Sequence, residues 1–346
     1  MQRMLPEKRR FNILCLSGGG YRGLFSAAVL RHLQKGLKIP KIADHFDLII
    51  GTSTGALVGC GLAAGLSARE IEISFRKNGL AIFPERFWIE KLFWRLQLRA
   101  QYGNKPLIET IRGLLPEIAD RNIEDIQLKL AIVALSQVSR RHRLFCGAPF
   151  ALPSVNKTSI IDALLATSAA PTYFPSHKPA DGLDILVDGG LVANAPVLLG
   201  AALLRERIGA PLDKIHVLHI GTAGSRMGTS FKDPWYCHLP LIAWARRLNA
   251  VTADLVDLTI SAQEALAIDL ASTFFSDRYI HLDVPPEHAQ NPELRSLDDA
   301  SKPVSQKLLM LAEKTWLHWA NTPALHAFFP VQHPVLDFQK SKTSHS

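Results

Sequence analysis

Along this chain, short apolar runs that end at glycine alternate with stretches whose apolar positions recur at helical spacing. The runs predict strands over residues 11–16, 46–50, 128–135, 185–187 and 215–220, with a return strand over 144–146. The first is apolar nearly throughout, which suits a sheet covered on both faces. The helical spacings fall at about 24–34, 56–64, 66–78, 107–115, 159–166 and 197–207. Ser159 and Asp162 stand at capping-box spacing at the start of one of these helices. Strand and helix thus alternate, which predicts an α/β fold with a mostly parallel central sheet flanked by helices and joined by right-handed crossovers. After Lys232 the pattern turns helical: 239–270 has no strong breaker after Pro240, a last strand covers 278–282, and a helix over 305–319 closes the fold. The expected organisation is an α/β core over 11–222, a mainly helical C-terminal portion over 223–328 packed on the same domain, and a loose tail over 329–346.

Three glycine-rich turns stand where strands end. Gly51-Thr52-Ser53-Thr54-Gly55 lies between a buried strand and a helix of small residues, the setting of a G-x-S-x-G nucleophile elbow. Gly51 and Gly55 remove the Cβ atoms that would clash in so tight a bend around the Ser53 hydroxyl. Ser17-Gly18-Gly19-Gly20-Tyr21-Arg22-Gly23 follows the first strand. Gly18, Gly20 and Gly23 fit a dinucleotide fingerprint, but such a site wants an acid at the end of the second strand, and the acids there, Asp44 and Asp47, stand at its beginning. The alternative is that the glycine amides form an oxyanion hole beside a serine nucleophile. Asp188-Gly189-Gly190 closes the strand over 185–187, and its glycines let the carboxylate approach another loop. A serine needs a base. In a hydrolase order of Ser, Asp, His the base is a downstream histidine, among His216, His219, His238 and His281. His219, at a strand end, reads equally as a packed strand residue.

Composition narrows the setting. The 346 residues are 47% hydrophobic, enough for a sizeable core. The formal charge of +8 favours anionic partners without choosing among nucleic acid, lipid headgroups and a small phosphorylated ligand. Four cysteines with no CxxC spacing indicate neither a disulfide framework nor a zinc site. Residues 1–10 are polar and basic without an apolar signal core, and no apolar run reaches membrane-span length, so a cytoplasmic protein with peripheral membrane contact is expected. The stretch 82–102 interleaves Phe83, Phe87, Trp88, Phe93, Trp94 and Tyr102 with Arg86, Lys91, Arg95 and Arg99. It reads as core or lid packing, or as a surface that meets anionic lipid.

Taken together, these motifs resemble the patatin-like phospholipase family over about 11–221, nearly two-thirds of the chain. Gly18 to Gly23 is similar to the family's oxyanion motif, with Ser17 where many members have aspartate. Gly51 to Gly55 matches its nucleophile elbow, Ser168 to Pro175 its Ser-Ala-Ala-Pro segment, and Asp188 to Pro196 its Asp-Gly-Gly motif with the following Asn and Pro. The resemblance implies a three-layer fold related to the α/β-hydrolases, and a Ser-Asp dyad without histidine, with Ser53 as nucleophile and Asp188 as base. It also implies Gly18, Gly19 and Gly20 as oxyanion donors, with Arg22, Gly23, Gly51, Gly55, Gly189 and Gly190 supporting the motifs. No metal, catalytic cofactor, DNA or RNA is implied. Residues 16–24 look most like bacterial phospholipase effectors of anti-phage (CBASS) defence, which implies activation by a cyclic dinucleotide, a membrane phospholipid substrate at the inner face of the cell membrane, and homo-oligomer formation on activation as an open option. Arg22, the turn at 140–143 and Arg246-Arg247 are the cations considered for the nucleotide.

Overall fold

The computed structural model describes residues 9–84, 100–151, 157–179, 182, 184–224, 251–285, 294 and 296–330. Most of the aromatic-basic stretch, Arg246-Arg247 and nearly all of the expected tail lie outside these residues.

Seven strands form one sheet: β1 (Phe11–Leu16), β2 (Leu48–Thr52), β3 (Leu130–Ser136), β4 (His142–Cys146), β5 (Leu186–Asp188), β6 (Ile215–Ile220) and β7 (Tyr279–Leu282). The order is β4-β3-β2-β1-β6-β7, with β5 paired to β3. The pairs β1–β2, β1–β6, β2–β3 and β6–β7 are parallel, and β4 and β5 run antiparallel to β3. The α/β fold with a mostly parallel sheet is therefore present as the sequence predicts.

Alternation along each strand divides the core into two layers. On β1, Leu14 and Leu16 face one cluster, while Phe11, Ile13 and Cys15 face the other. On β3, Leu130, Ile132 and Ala134 go to the first cluster and Ala131 and Val133 to the second. Burial on both faces is why these strands read as continuous apolar runs. The first face is covered by α1 (Gly23–Gly36), α2 (Thr54–Ala63), α3 (Ala68–Ile82), α4 (Lys105–Leu114) and α5 (Ile160–Thr167). After the short α6 (Gly190–Ala193), the second face is covered by α7 (Val197–Ile208) and the last turns of α8 (Val251–Phe275). The closing helix, α9 (Lys302–Trp319), returns to the first face against α1, where Gly36 leaves room for the Trp316 ring.

Each glycine-rich motif stands at the end of a strand, but the strand that ends at Asp188 runs antiparallel to its neighbour. β2 runs beside β3 only as far as the Thr52–Val133 pair. One residue further, Ala134 pairs with Asp188, and β4 holds the opposite edge of β3 at that level. β5 therefore enters the strip that β2 vacates, from the opposite direction. The two strands point at each other, and their next residues meet.

Candidate active site

The elbow is built by sterics. Ser53 has φ 52° and ψ −126°, a conformation that L-residues rarely adopt, between β2 and α2. A Cβ on Gly51 would lie 2.6 Å from the backbone of Gly55 and Ala56, and one on Gly55 would lie 2.4 Å from the Leu16 carbonyl oxygen. Those contacts are with main chain, which cannot rotate away. Gly55→Ala is expected to lose about 3 kcal/mol of stability, as overpacking a rigid site does. Gly113→Ala, in α4 with nothing within 4 Å of its added methyl, is expected to be neutral or slightly stabilising. Chemical denaturation of the two variants side by side checks both.

The amide of Ser53 is held by the Thr167 hydroxyl at 2.8 Å, and that hydroxyl donates to the Val133 carbonyl. The Thr52 hydroxyl donates to the Ala193 carbonyl at 2.6 Å. The elbow is thus fastened to α5, β3 and α6, which fixes where the Ser53 side chain emerges.

Asp188 comes from the facing strand. It is 4% exposed and accepts a hydrogen bond from the Gly190 amide at 2.6 Å, and the Ser53 hydroxyl lies close enough to favour its ionised form. A Cβ on Gly189 would fall 2.2 Å from the Val133 carbonyl oxygen and 3.2 Å from Thr52 Cγ2, so the Asp-Gly-Gly sequence lets this loop reach the elbow. Burial pushes the Asp188 carboxyl up to about 6, against the pull of the Gly190 hydrogen bond and of the nearby Ser53 hydroxyl. It remains a carboxylate at neutral pH and is a stronger base than an exposed aspartate.

The glycine turn completes the centre. A Cβ on Gly18 would sit 3.2 Å from that of Ser53, so turn and elbow are in contact. Gly18 and Asn194 exchange hydrogen bonds: the Gly18 amide donates to the Asn194 carbonyl and Asn194 Nδ2 donates to the Gly18 carbonyl, both at 3.2 Å. The Gly18 amide is therefore engaged, whereas the Gly19 and Gly20 amides have no partner among the described residues. Gly20 has φ +57°, and a Cβ there would strike the Leu297 carbonyl oxygen at 2.2 Å. The cleft above Ser53 continues along an apolar wall that includes Leu57, Phe75, Ile82, Phe83, Leu107 and Phe174. Phe83, Tyr102 and Phe174 pack with ring centroids 5.4–6.0 Å apart, which places the two described ends of the aromatic-basic stretch beside the cleft.

The structure separates the alternatives that the sequence leaves open. Both ring nitrogens of His219 are engaged away from the dyad, Nε2 with the Ser17 hydroxyl and Nδ1 with the Tyr279 hydroxyl, each at 2.8 Å. Burial and the stacked His281 ring hold its pKa well below the ordinary value, so it is a packed, neutral histidine. For a nucleotide fingerprint, the acid nearest β2 is Asp47, which accepts from the Asn12 amide and from Arg9 before the strand begins. Arg22 is buried, donates to the Leu294 carbonyl at 3.2 Å and lies within the field of Glu264, Asp257 and Asp283. It is a wall of the site, not a surface cation. In the 140–143 turn, Arg143 pairs with Asp184.

Three site residues escape the motif reading: Thr167, Asn194 in its bridging role, and Glu264. Glu264 comes from α8, far along the chain, where a lone acid among Ala265, Leu266, Ala267 and Ile268 is a faint signal.

The family model for patatin-like phospholipases matches residues 14–200. The chain is 34% identical to a cGAMP-activated phospholipase of Escherichia coli, covering 85% of this chain and 86% of the relative. It is 33% identical to one of Pseudomonas aeruginosa, covering 84% and 83%. Against one of Vibrio cholerae it is 35% identical, covering 64% and 67%.

Proposed function

From the premise that this chain belongs to the patatin-like phospholipase family, we propose that it hydrolyses fatty-acyl esters of membrane phospholipids through a Ser53–Asp188 dyad and is switched on by a cyclic dinucleotide. The observation that carries the catalytic part is Ser53 and a buried Asp188 lining one cleft, close enough for the hydroxyl to favour the carboxylate, beside amides without a partner among the described residues and under an apolar wall.

In the forward step, Ser53 Oγ attacks the ester carbonyl carbon while its proton passes to Asp188. The carbonyl oxygen becomes an oxyanion, and the Gly19 and Gly20 amides receive it, with Gly18 closing the turn behind them. The start of α2 adds its dipole and first amides to the same region. Collapse of the tetrahedral intermediate breaks the bond to the lysolipid oxygen, which takes the proton from Asp188. The acyl group remains on Ser53, its chain along the Leu57–Phe83 wall. Asp188 then takes a proton from water, whose oxygen attacks the acyl carbon. Release of the fatty acid returns the proton to Ser53.

Regulation follows the same line. The relatives named above are cGAMP-activated. A phospholipase loose in its host's cytoplasm attacks the host's own inner membrane, so latency until a nucleotide signal suits anti-phage defence. The ligand achieves this only by binding the active form more tightly than the resting one, with a homo-oligomer as one such form. A net charge of +8 favours docking on anionic lipid. Among the described residues no helix is long and apolar enough to cross a membrane.

Fatty-acid release from anionic phospholipid vesicles by purified protein, across a panel of cyclic dinucleotides, tests the proposal. Little hydrolysis without ligand and strong hydrolysis with a cGAMP-type member is expected. Full activity without ligand, unchanged across the panel, removes the activation step. No release under any condition removes the phospholipase reading.

A further inference from the structure

Behind the glycine turn lies a buried polar chain that the motifs do not contain. Ser17 Oγ is 2.8 Å from Glu264 Oε1 and 2.8 Å from His219 Nε2, and His219 Nδ1 is 2.8 Å from the Tyr279 hydroxyl. Asn194, whose amide donates to the Gly18 carbonyl, also lies near enough to Glu264 to favour its ionised form. The neighbouring Gln263 donates to the Gly190 carbonyl at 2.7 Å. One turn of α8 thus holds the residue that opens the glycine turn and the loop after Asp188, and stands beside the residue that grips Gly18.

We propose that Glu264 is a positioning residue for the oxyanion turn: as a carboxylate it accepts from Ser17 and attracts the nearby Asn194 amide, and so fixes the Gly19 and Gly20 amides against Ser53. This deepens the proposed function and rests on its assignment of those amides.

The chain has two polarities, because each hydroxyl carries one proton and the neutral imidazole one N–H. With Glu264 ionised, Tyr279 donates to Nδ1 of His219, Nε2–H donates to Ser17, and Ser17 donates to Glu264. When Glu264 takes up a proton, its O–H donates to Ser17, Ser17 donates to Nε2, and Nδ1–H donates to Tyr279. One proton has been gained, and His219 has changed tautomer without becoming charged. In the second polarity the Ser17 contact is a neutral hydrogen bond in place of a charge-assisted one, and the clamp on the turn is weakened.

The surroundings set where this happens. Burial raises the Glu264 carboxyl to about 7, against the pull of its Ser17 hydrogen bond and of the nearby Asn194 amide. Asp283, just past β7, pushes the same way as burial, and Arg22 in the glycine turn pulls back. Cys15 on β1 and Tyr279 on β7 also lie within its field, and both are raised by their own burial first. His219 on β6 stays neutral. The sign is fixed: the active, ionised form grows as pH rises through about 7.

The test is ring-nitrogen NMR of His219 between about pH 5.5 and 8.5, a range that brackets the ordinary imidazole transition, assigned with a His219→Gln variant, together with kinetics of Glu264→Gln. The expected wild-type result is a neutral His219 that moves from the Nδ1–H to the Nε2–H tautomer around pH 7. In Glu264→Gln the tautomer becomes independent of pH, and kcat falls on the order of tenfold with KM little changed. The acid limb of kcat/KM then shows only the Asp188 ionisation near 6 where the wild type shows two. A His219 tautomer that does not change with pH in the wild type overturns the proposal, even if Glu264→Gln fails to fold. So does a folded Glu264→Gln with wild-type kcat and pH profile. Ser53→Ala runs in parallel: if it is active, the site assignment itself has failed. If it is inactive while Glu264→Gln is indifferent, only the positioning role is lost.

Discussion

Ser53→Ala is expected to fold as the wild type does and to lose phospholipid hydrolysis by about four orders of magnitude or more. The size follows from its place in the chemistry. The substitution removes the one atom that forms the acyl bond, and the glycine turn and apolar wall that remain act on the bound ester without a nucleophile. The fold is expected to hold because alanine carries the same Cβ at φ 52° as serine, so the strain at the elbow is unchanged. Ser53→Gly separates the two effects. It is equally inactive but relieves the positive φ, and gains about 1 kcal/mol. Vesicle hydrolysis and a thermal melt of both variants check this, and a folded Ser53→Ala that hydrolyses like the wild type contradicts it.

Asp188→Asn is expected to be nearly as inactive, down by about three orders of magnitude or more, and yet more stable than the wild type at neutral pH. An amide cannot take the serine proton. Its carbonyl oxygen still accepts from the Gly190 amide, and the side chain no longer buries a charge. The carboxyl sits near 6 when folded and near 4 when unfolded, which amounts to roughly 3 kcal/mol of strain at pH above 6. A folded-state pKa that is raised gives stability that is fully present below the unfolded value and lost as pH rises through 6. The advantage of the Asp188→Asn variant should therefore be largest at about pH 7.5 and shrink toward about pH 4. Melting curves at the two pH values measure it, and a variant less stable than wild type at the higher pH contradicts the burial argument.

Much of this architecture is legible in the chain because burial on both faces leaves a plain signature. β1 and β6 are mostly apolar runs, broken only by Asn12, His216 and His219, and their bounds, Phe11–Leu16 and Ile215–Ile220, agree with the sequence reading. The elbow is legible because Gly51 and Gly55 answer two backbone clashes that any such bend creates. The direction of β5 is not legible. A three-residue strand carries no mark of parallel or antiparallel pairing, and only the register against β3 reveals that it meets β2 head-on. The one-turn helix after Asp188, Gly190–Ala193, escapes for the same reason: it is too short to show a period.

The site's supporting shell is less legible than its reacting groups. Ser17 departs from the aspartate of many family members, and in sequence that departure has no counterpart. In space the carboxylate beside it is supplied by Glu264, on a helix that closes over the turn. Partners so far apart in the chain leave no spacing to read. The engagement of the Gly18 amide is likewise hidden, because it depends on where the Asn194 main chain passes. Three glycines in a row say that the backbone comes close to something. Which of their amides point free is decided by tertiary contacts.

The central claim is that the acyl group passes through Ser53. The most direct measurement quenches the protein during phospholipid turnover, or after a lipid-like fluorophosphonate, and maps the adduct by peptide mass spectrometry. One acyl or phosphonyl group on Ser53, absent from Ser53→Ala and slowed by Asp188→Asn, is the expected result. A protein that turns over lipid while its adduct lies on another residue contradicts the account.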